Sequence, residues 1–480
     1  MRFKNNKLIK IWLNMSIEVR TSLAIMVTSF FQAGMKLLFV PVFTRLLSTS
    51  EYGVVTVFES IQNMLGTITM MSLWTNVYNR GMQEFKTDRD KFTASLLFFG
   101  NICTLAVGAV FLILHKQIMP FFSLTGFLWI VMFANFLFLP AYNCWIARQK
   151  FEYHYQNMLI VAIAINILSP IAGVIMIFSP ISDKAAAKIF GTEVIMMLAY
   201  IPIFILAFKK SNWNVKWEYV KYGMKFNIPL IPHYASQQIL SSCDRIMISY
   251  MVDEASAGIY GLSYQIATVV HMVWVAVNSV LIPWTYNKIE SGRAEDVKRQ
   301  TKNIITAYAA VCVGVMFIAP EVVKIFVPAK YYEGIYIIAP VVGGTFFVAV
   351  FNLFSLLEFY YKKTVYVMIV SLIAAILNLI LNRMFIPVYG YQAAAYTTLV
   401  CYCLYAFMHA YNLLKLKVMH YYDMKVIAKL SLAMFFISIV IVWTYDGFII
   451  RYLLLAAIAL IMFIKRDVII DVLLTLKKKN

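Results

Sequence analysis

Residues 334–357 read GIYIIAPVVGGTFFVAVFNLFSLL, 24 positions without a charge. At 1.5 Å per residue a helix of this length reaches about 36 Å, enough to cross a hydrocarbon core of about 30 Å. The run is one of many. Outward from it in both directions, apolar blocks of about 20 residues alternate with short polar connections. Of the 480 residues, 62% are hydrophobic and 14% charged, against roughly 45–50% and 25% in a soluble domain. A water-soluble fold is thereby excluded. The spacing predicts spans at 21–43, 53–78, 92–114, 121–140, 157–178, 185–208, 226–250, 258–283, 303–327, 334–357, 364–386, 391–413, 426–445 and 447–464. The expected fold class is all-α, a polytopic membrane protein with about 14 transmembrane helices.

Lys and Arg number 42 against 23 acids, a net charge of +19. In a soluble chain such an excess would point to nucleic acid. Here the bases sort by connection. Thirty-one fall on one side of the alternating spans, and seven (Arg45, Lys116, Lys184, Lys188, Lys324, Lys330, Arg451) on the other. The positive-inside rule makes the first side cytoplasmic and puts both termini there, which an even number of spans requires. Topology and contact with anionic lipid account for the charge, and no nucleic-acid partner is expected. The six cysteines lie mostly in apolar blocks, with no CxxC and no His/Cys set at metal-ligand spacing. Neither disulfides, a metal nor a cofactor is expected. The basic N-terminus lacks a small-residue cleavage site, so the first block reads as a retained helix.

Internal repetition organises the chain. Ser50-Glu51-Tyr52-Gly53 after the first span matches Ser256-Ala257-Gly258-Ile259-Tyr260 after the seventh, with Gly53 and Gly258 separated by 205 residues. Ala185-Ala186-Ala187 opens the sixth span and Ala393-Ala394-Ala395 the twelfth, separated by 208. The expected plan is two six-helix lobes, 1–208 and 226–413, with a cytoplasmic linker at 209–225 and two added helices plus a tail at 414–480. Two parallel repeats imply a pseudo-twofold axis along the membrane normal and a cavity between the lobes.

Charges at membrane depth are costly, so they usually face a bundle interior or a wet cavity. Lys36, Arg245, Arg383 and Lys429 are the bases inside spans. Lys36, Glu59, Asp244 and Arg245 share a depth of about 8–10 Å, which predicts a charged layer at the lobe interface. Glu59, Gln62, Asn63, Gly66, Thr67 and Met70 follow helical spacing and share one face, while His233, Gln237 and Asp244 form a stripe in span 7. Pro229 and Pro232 are expected to bend that span. His271 and Asn278 lie two turns apart in span 8. The plainer readings are that Lys36, Arg383 and Lys429 snorkel, that Asp244 and Arg245 pair structurally, and that the histidines are interhelical hydrogen-bonders. Glu193 stays unassigned.

In these features the chain resembles a known family. The 6+6+2 plan, Arg45-Leu46-Leu47 before Glu51-Tyr52-Gly53, Asp244-Arg245 before Ala257-Gly258-Ile259-Tyr260, and Pro387-Val388-Tyr389-Gly390 before the alanine run are similar to the polysaccharide-transporter (Wzx-type) branch of the multidrug/oligosaccharidyl-lipid/polysaccharide flippase superfamily. The resemblance implies a non-enzymatic flippase of the bacterial cytoplasmic membrane. Its cargo would be undecaprenyl-pyrophosphate-linked oligosaccharide, moved by alternating access for O-antigen, lipopolysaccharide or capsule synthesis. H+ or Na+ are the candidate coupling ions, and polysaccharide polymerase machinery is the candidate protein partner.

The residues fit such a cargo on their own chemistry. A pyrophosphate needs cations, for which Lys36, Arg245 and Arg383 are candidates, and sugar hydroxyls need amides, for which Gln62, Asn63, Gln237 and Asn278 are candidates. Glu59, Asp244 and His271 are the candidates for coupling or charge pairing. Three rivals carry distinct signatures. A cation antiporter of the same superfamily should line its cavity with acids. A lipid II flippase shares the anionic cargo. A sugar polymerase needs a large outer loop, and the connections here are short.

Overall fold

The computed structural model of the chain describes residues 16–456 apart from 75, 119, 120, 450 and 454. The basic segment 1–15 lies outside the described residues, as does most of the expected span 447–464. All regular structure among the described residues is helical. It forms two compact units, Met1–Gln238 and Ile239–Asn480.

The first unit runs α1 (Ile17–Leu46), α2 (Thr49–Thr69), α3 (Asn76–Glu84), α4 (Arg89–Ile113), α5 (His115–Ile118), α6 (Gly126–Phe151), α7 (Tyr155–Ile177), α8 (Lys184–Lys210) and α9 (Trp217–Asn227). Helix α10 (Ile231–Met251) begins there and continues into the second unit. The second unit adds α11 (Glu254–Ala267), α12 (Val269–Glu290), α13 (Ala294–Phe326), α14 (Ile335–Tyr360), α15 (Thr364–Tyr389), α16 (Gln392–Lys415) and α17 (Met424–Val440).

Among the described residues, 11 helical stretches are long and apolar enough to cross a membrane, with α11 and α12 joined as one. Helices α2 and α10 are not among them. They carry the polar faces, Glu59-Gln62-Asn63 on one and His233 through Arg245 on the other. The uncharged run 334–357 makes up most of α14, and 89% of an apolar stretch of that helix is buried. A helix apolar all round is stable where neighbours surround it.

The repeat is visible in how helices begin and in what they touch. Ser48 caps α2 through a capping box, its hydroxyl accepting from the Glu51 amide at 3.1 Å while Glu51 accepts from the Ser48 amide at 2.7 Å. Asp253, 205 residues on, caps α11 by accepting from the Ser256 amide. Within each unit the second helix packs on the fourth (α2 on α6, α11 on α14) and the third on the fourth (α4 on α6, α13 on α14). The fourth packs on the sixth (α6 on α8, α14 on α16) and the fifth on the sixth (α7 on α8, α15 on α16). The alanine runs at 185–187 and 393–395 are buried where the sixth helices begin. Close approach of α7 and α8 needs glycine, since a Cβ on Gly191 would stand 2.6 Å from the Ala172 carbonyl oxygen.

Four spans differ from their expected form. The stretch 53–78 is not continuous: α2 ends at Thr69, Met71 and Ser72 take left-handed φ values of 51° and 47°, and α3 follows. The buried Asn227 side chain donates to the Met71 carbonyl, satisfying backbone that the ended helix leaves bare. Its repeat counterpart, 258–283, is also divided, at Thr268. The prolines of span 7 separate α9 from α10 through a 3-10 turn at Ile228–Leu230, and Pro232 stands in the first turn of α10, where no amide is needed. Span 4 runs on to Phe151 because Pro140 sits inside α6 without ending it.

Candidate functional site

In the first unit, α2, α6 and α8 meet around a polar cluster. Glu193, mid-way along α8 and only 5% exposed, accepts from Gln62 Nε2 at 3.0 Å and from Asn135 Nδ2 of α6. One and a half turns earlier, Lys188 is 8% exposed and donates to Glu59 at 3.2 Å. Its ammonium also lies 5.3 Å from the centre of the Phe43 ring of α1. The alanines that precede Lys188 let α8 approach its neighbours, and the base is drawn inside with them. The result is a buried cation paired with Glu59, one and a half turns from a second carboxylate that two amides hold.

In the second unit, Asp244 of α10 is fully buried and accepts three neutral hydrogen bonds. They come from Tyr260 of α11 at 2.7 Å, Asn382 of α15 at 2.7 Å and Thr398 of α16 at 2.9 Å. Asn378 ties Asn382 to Thr398, at 3.3 and 3.2 Å. A carboxylate with every face occupied by donors fastens four helices. Arg245, the next residue, turns away, donates to the Ser241 carbonyl at 2.9 Å and stacks over Tyr264 at 4.4 Å.

The other sequence candidates are spread more widely. Lys36 is exposed on α1, Asn63 on α2, and Arg383 on α15 beside the buried Asn382. Gln237 and His271 are half-buried, as is Asn278, whose buried Oδ1 has no partner among the described residues. Lys429 is exposed on α17.

A further buried set escaped the sequence reading. Glu358 and His409 are fully buried and bonded at 2.6 Å, and Asn412 donates to the other carboxylate oxygen at 2.6 Å. Glu358 stands one residue past the expected span end, outside the segments searched for buried charge. His409 three residues before Asn412 on the facing helix was the available signal.

Where α3, α4, α6 and α9 converge, bases and acids interlock. Asp88, in the loop before α4, accepts from Lys91 at 2.9 Å, from Lys216 at 3.0 Å and from Tyr219 at 2.9 Å. Arg148 pairs with Asp90 and with Glu152, which also meets Arg89. Phe85, Phe92, Tyr219 and Tyr222 pack beneath. The bond from Lys91, then those from Lys216 and Tyr219, hold the Asp88 carboxyl well below the usual carboxylate range. A lowered native value stabilises the fold above the unfolded Asp value of about 3.9, and that contribution fades as pH falls below it. Asp88→Asn is therefore expected to melt below wild type at pH 7, with the gap closing under about pH 4. Melting curves in detergent from pH 3 to 7 test this, and a gap of constant size would remove the assignment.

The profile of the family described as "Polysaccharide biosynthesis protein" matches residues 19–289. "Lsg locus putative protein 1" of Haemophilus influenzae is 28% identical over 170 residues, 32% of this chain and 41% of the relative. An "Uncharacterized membrane protein" of the same organism is 24% identical over 209 residues, 42% of this chain and 50% of the relative. The chain thus spans half or less of each. Among solved structures, "Lipid II flippase MurJ, inward closed conformation" superposes with a TM-score of 0.67 at 17% identity, covering 94% of this chain and 100% of that one. The outward-facing conformation of a multidrug resistance MATE family transporter of the MOP superfamily gives 0.55 at 12% identity, covering 88% and 99%. At these identities the likeness is one of fold.

Proposed function

We propose a transport function from one premise: the chain belongs to the polysaccharide biosynthesis protein family. The cargo is an undecaprenyl-pyrophosphate-linked oligosaccharide, carried across the bacterial cytoplasmic membrane for O-antigen, capsule or a similar polymer. Both termini are cytoplasmic, and polar sites within the helices are exposed to the two sides in turn, driven by an H+ or Na+ gradient. The chain makes no covalent change to its cargo.

The observation that carries this reading is the occupancy of the acids inside the helices. Asp244 accepts three protein donors, Glu193 two, and Glu358 two. Glu59 is paired with Lys188 and Glu321 with Arg451. A cationic cargo would have to break those bonds to reach a carboxylate, and each broken buried bond costs about 1–3 kcal/mol. A hydroxyl-rich anion needs none of those carboxylates, and Lys36 on α1 and Asn63 on α2 are exposed. That contrast favours a lipid-linked sugar over a cationic drug.

Purified protein in liposomes tests the proposal directly. Fluorescent undecaprenyl-pyrophosphate-linked oligosaccharide is expected to cross when an ion gradient is imposed, while a cationic dye stays on its side. Lipid II serves as a third cargo in the same assay. Dye movement without lipid movement would reject the reading, and faster movement of lipid II would reassign the sugar.

A further inference from the structure

The first unit carries an open cleft of about 730 Å³ whose walls include Asn79, Arg80, Gln83, Asn143 and Lys150, with Trp74 and Phe151 beside them. Asn79, Arg80 and Gln83 project from α3, and Asn143 through Phe151 follow helical spacing on the last turns of α6. The break after α2 creates it, since α3 can face α6 only because the chain turns at 70–74. Its size falls in the range of small-molecule sites, roughly 300–1,000 Å³.

Its charge is unlike that of its surroundings. At this end of the unit Arg89, Lys91, Arg148 and Lys216 are all ion-paired. Arg80 and Lys150 have no carboxylate partner among the described residues, and no acid lines the cleft. Arg80 lies over the Phe226 ring at 4.4 Å and bonds Tyr222, whose hydroxyl donates to Glu84 at 2.7 Å, so its link to an acid runs through a neutral side chain. Two cations, three side-chain amides and two flat aromatic groups thus converge on one space. A planar guanidinium and an ammonium suit a diphosphate, the amides suit sugar hydroxyls, and Trp74 and Phe151 offer faces for the apolar side of a sugar ring.

We infer that this cleft is a docking site for the sugar-diphosphate head of a lipid, taken up from the cytoplasmic side before translocation. The inference rests on the transport reading above and adds a place for the cargo that the sequence candidates do not include. Arg80 and Lys150 grip the diphosphate, and Asn79, Gln83 and Asn143 hold the first sugars.

Titration calorimetry on the purified full-length protein tests it with two probes. One is a short-chain prenyl diphosphate bearing N-acetylglucosamine; the other is UDP-N-acetylglucosamine, which carries the same head on a soluble nucleotide. Wild type is expected to bind the prenyl probe about tenfold or more tightly than the nucleotide, and Arg80→Gln with Lys150→Gln together to weaken the prenyl probe about thirtyfold. Lys209→Gln, an exposed base outside the cleft, is expected to stay within about twofold of wild type. Undiminished binding by the double variant overturns the site and leaves the transport reading standing. Equal losses in Lys209→Gln also overturn it, by showing a general surface charge effect. Nucleotide sugar bound as tightly as the prenyl probe rejects the lipid as the source of the head. Wild type binding neither probe overturns both the site and the transport reading.

Discussion

Asp244→Ala is expected to produce the largest loss of stability of any single substitution in the second unit. The change strands three buried donors, Tyr260, Asn382 and Thr398, drawn from three helices besides its own. Each unsatisfied group costs about 1–3 kcal/mol, and the network should lose roughly 3 kcal/mol or more even without full additivity. Thermal challenge followed by fluorescence-detected size exclusion measures the surviving fraction. Asp244→Asn should fall between, because it keeps an acceptor for Asn382 but turns an amide toward the two hydroxyls. An alanine variant that survives heating like wild type would show that the donors find other partners and that Asp244 does not fasten these helices.

Lys188→Met is expected to show the largest loss of transport. Removing the ammonium leaves Glu59 and Glu193 facing each other's charge with no cation beside Glu59. The initial flipping rate in liposomes should fall at least about tenfold, equivalent to about 1.4 kcal/mol on the barrier. Glu59→Gln should be milder, no more than about threefold, because the Glu59 side chain is 53% exposed and water screens what remains. The opposite order, with Glu59→Gln the more damaging, would move the functional weight from the buried base to the acid.

Much of the architecture was legible in the sequence because it depends on local chemistry. The uncharged run at 334–357 predicted a spanning helix, and α14 is that helix. Pro229 and Pro232 marked the place where α9 gives way to α10. The 205-residue echo of Gly53 in Gly258 extends to the capping residues Ser48 and Asp253. The family implied by the motif set is the one whose profile matches.

What the sequence hid was partnership across long separations. Lys188 reads as a connection base beside alanines, and only the packing of α2 against α8 shows it reaching Glu59, 129 residues away. Glu193 looked like an isolated acid because Gln62 and Asn135 lie 131 and 58 residues from it. Periodicity states which residues share a face, but not which helix that face meets. The break at residues 70–74 was equally hidden, because it is held by Asn227, 156 residues from the carbonyl it satisfies.

These separations bear on how the protein is made. Helix α2 is too polar to leave the translocation machinery for lipid on its own merits, and the groups that would neutralise Glu59 and Gln62 belong to α8. Ribosomes add about 5–20 residues per second, so roughly ten seconds pass before those 131 residues are synthesised. During that interval α2 must be shielded by α1, by the insertion apparatus or by a helper protein. Biogenesis of the first unit is thus complete only when its sixth helix emerges, and a ribosome stalled before Lys188 would leave a nascent chain that the bilayer cannot accept.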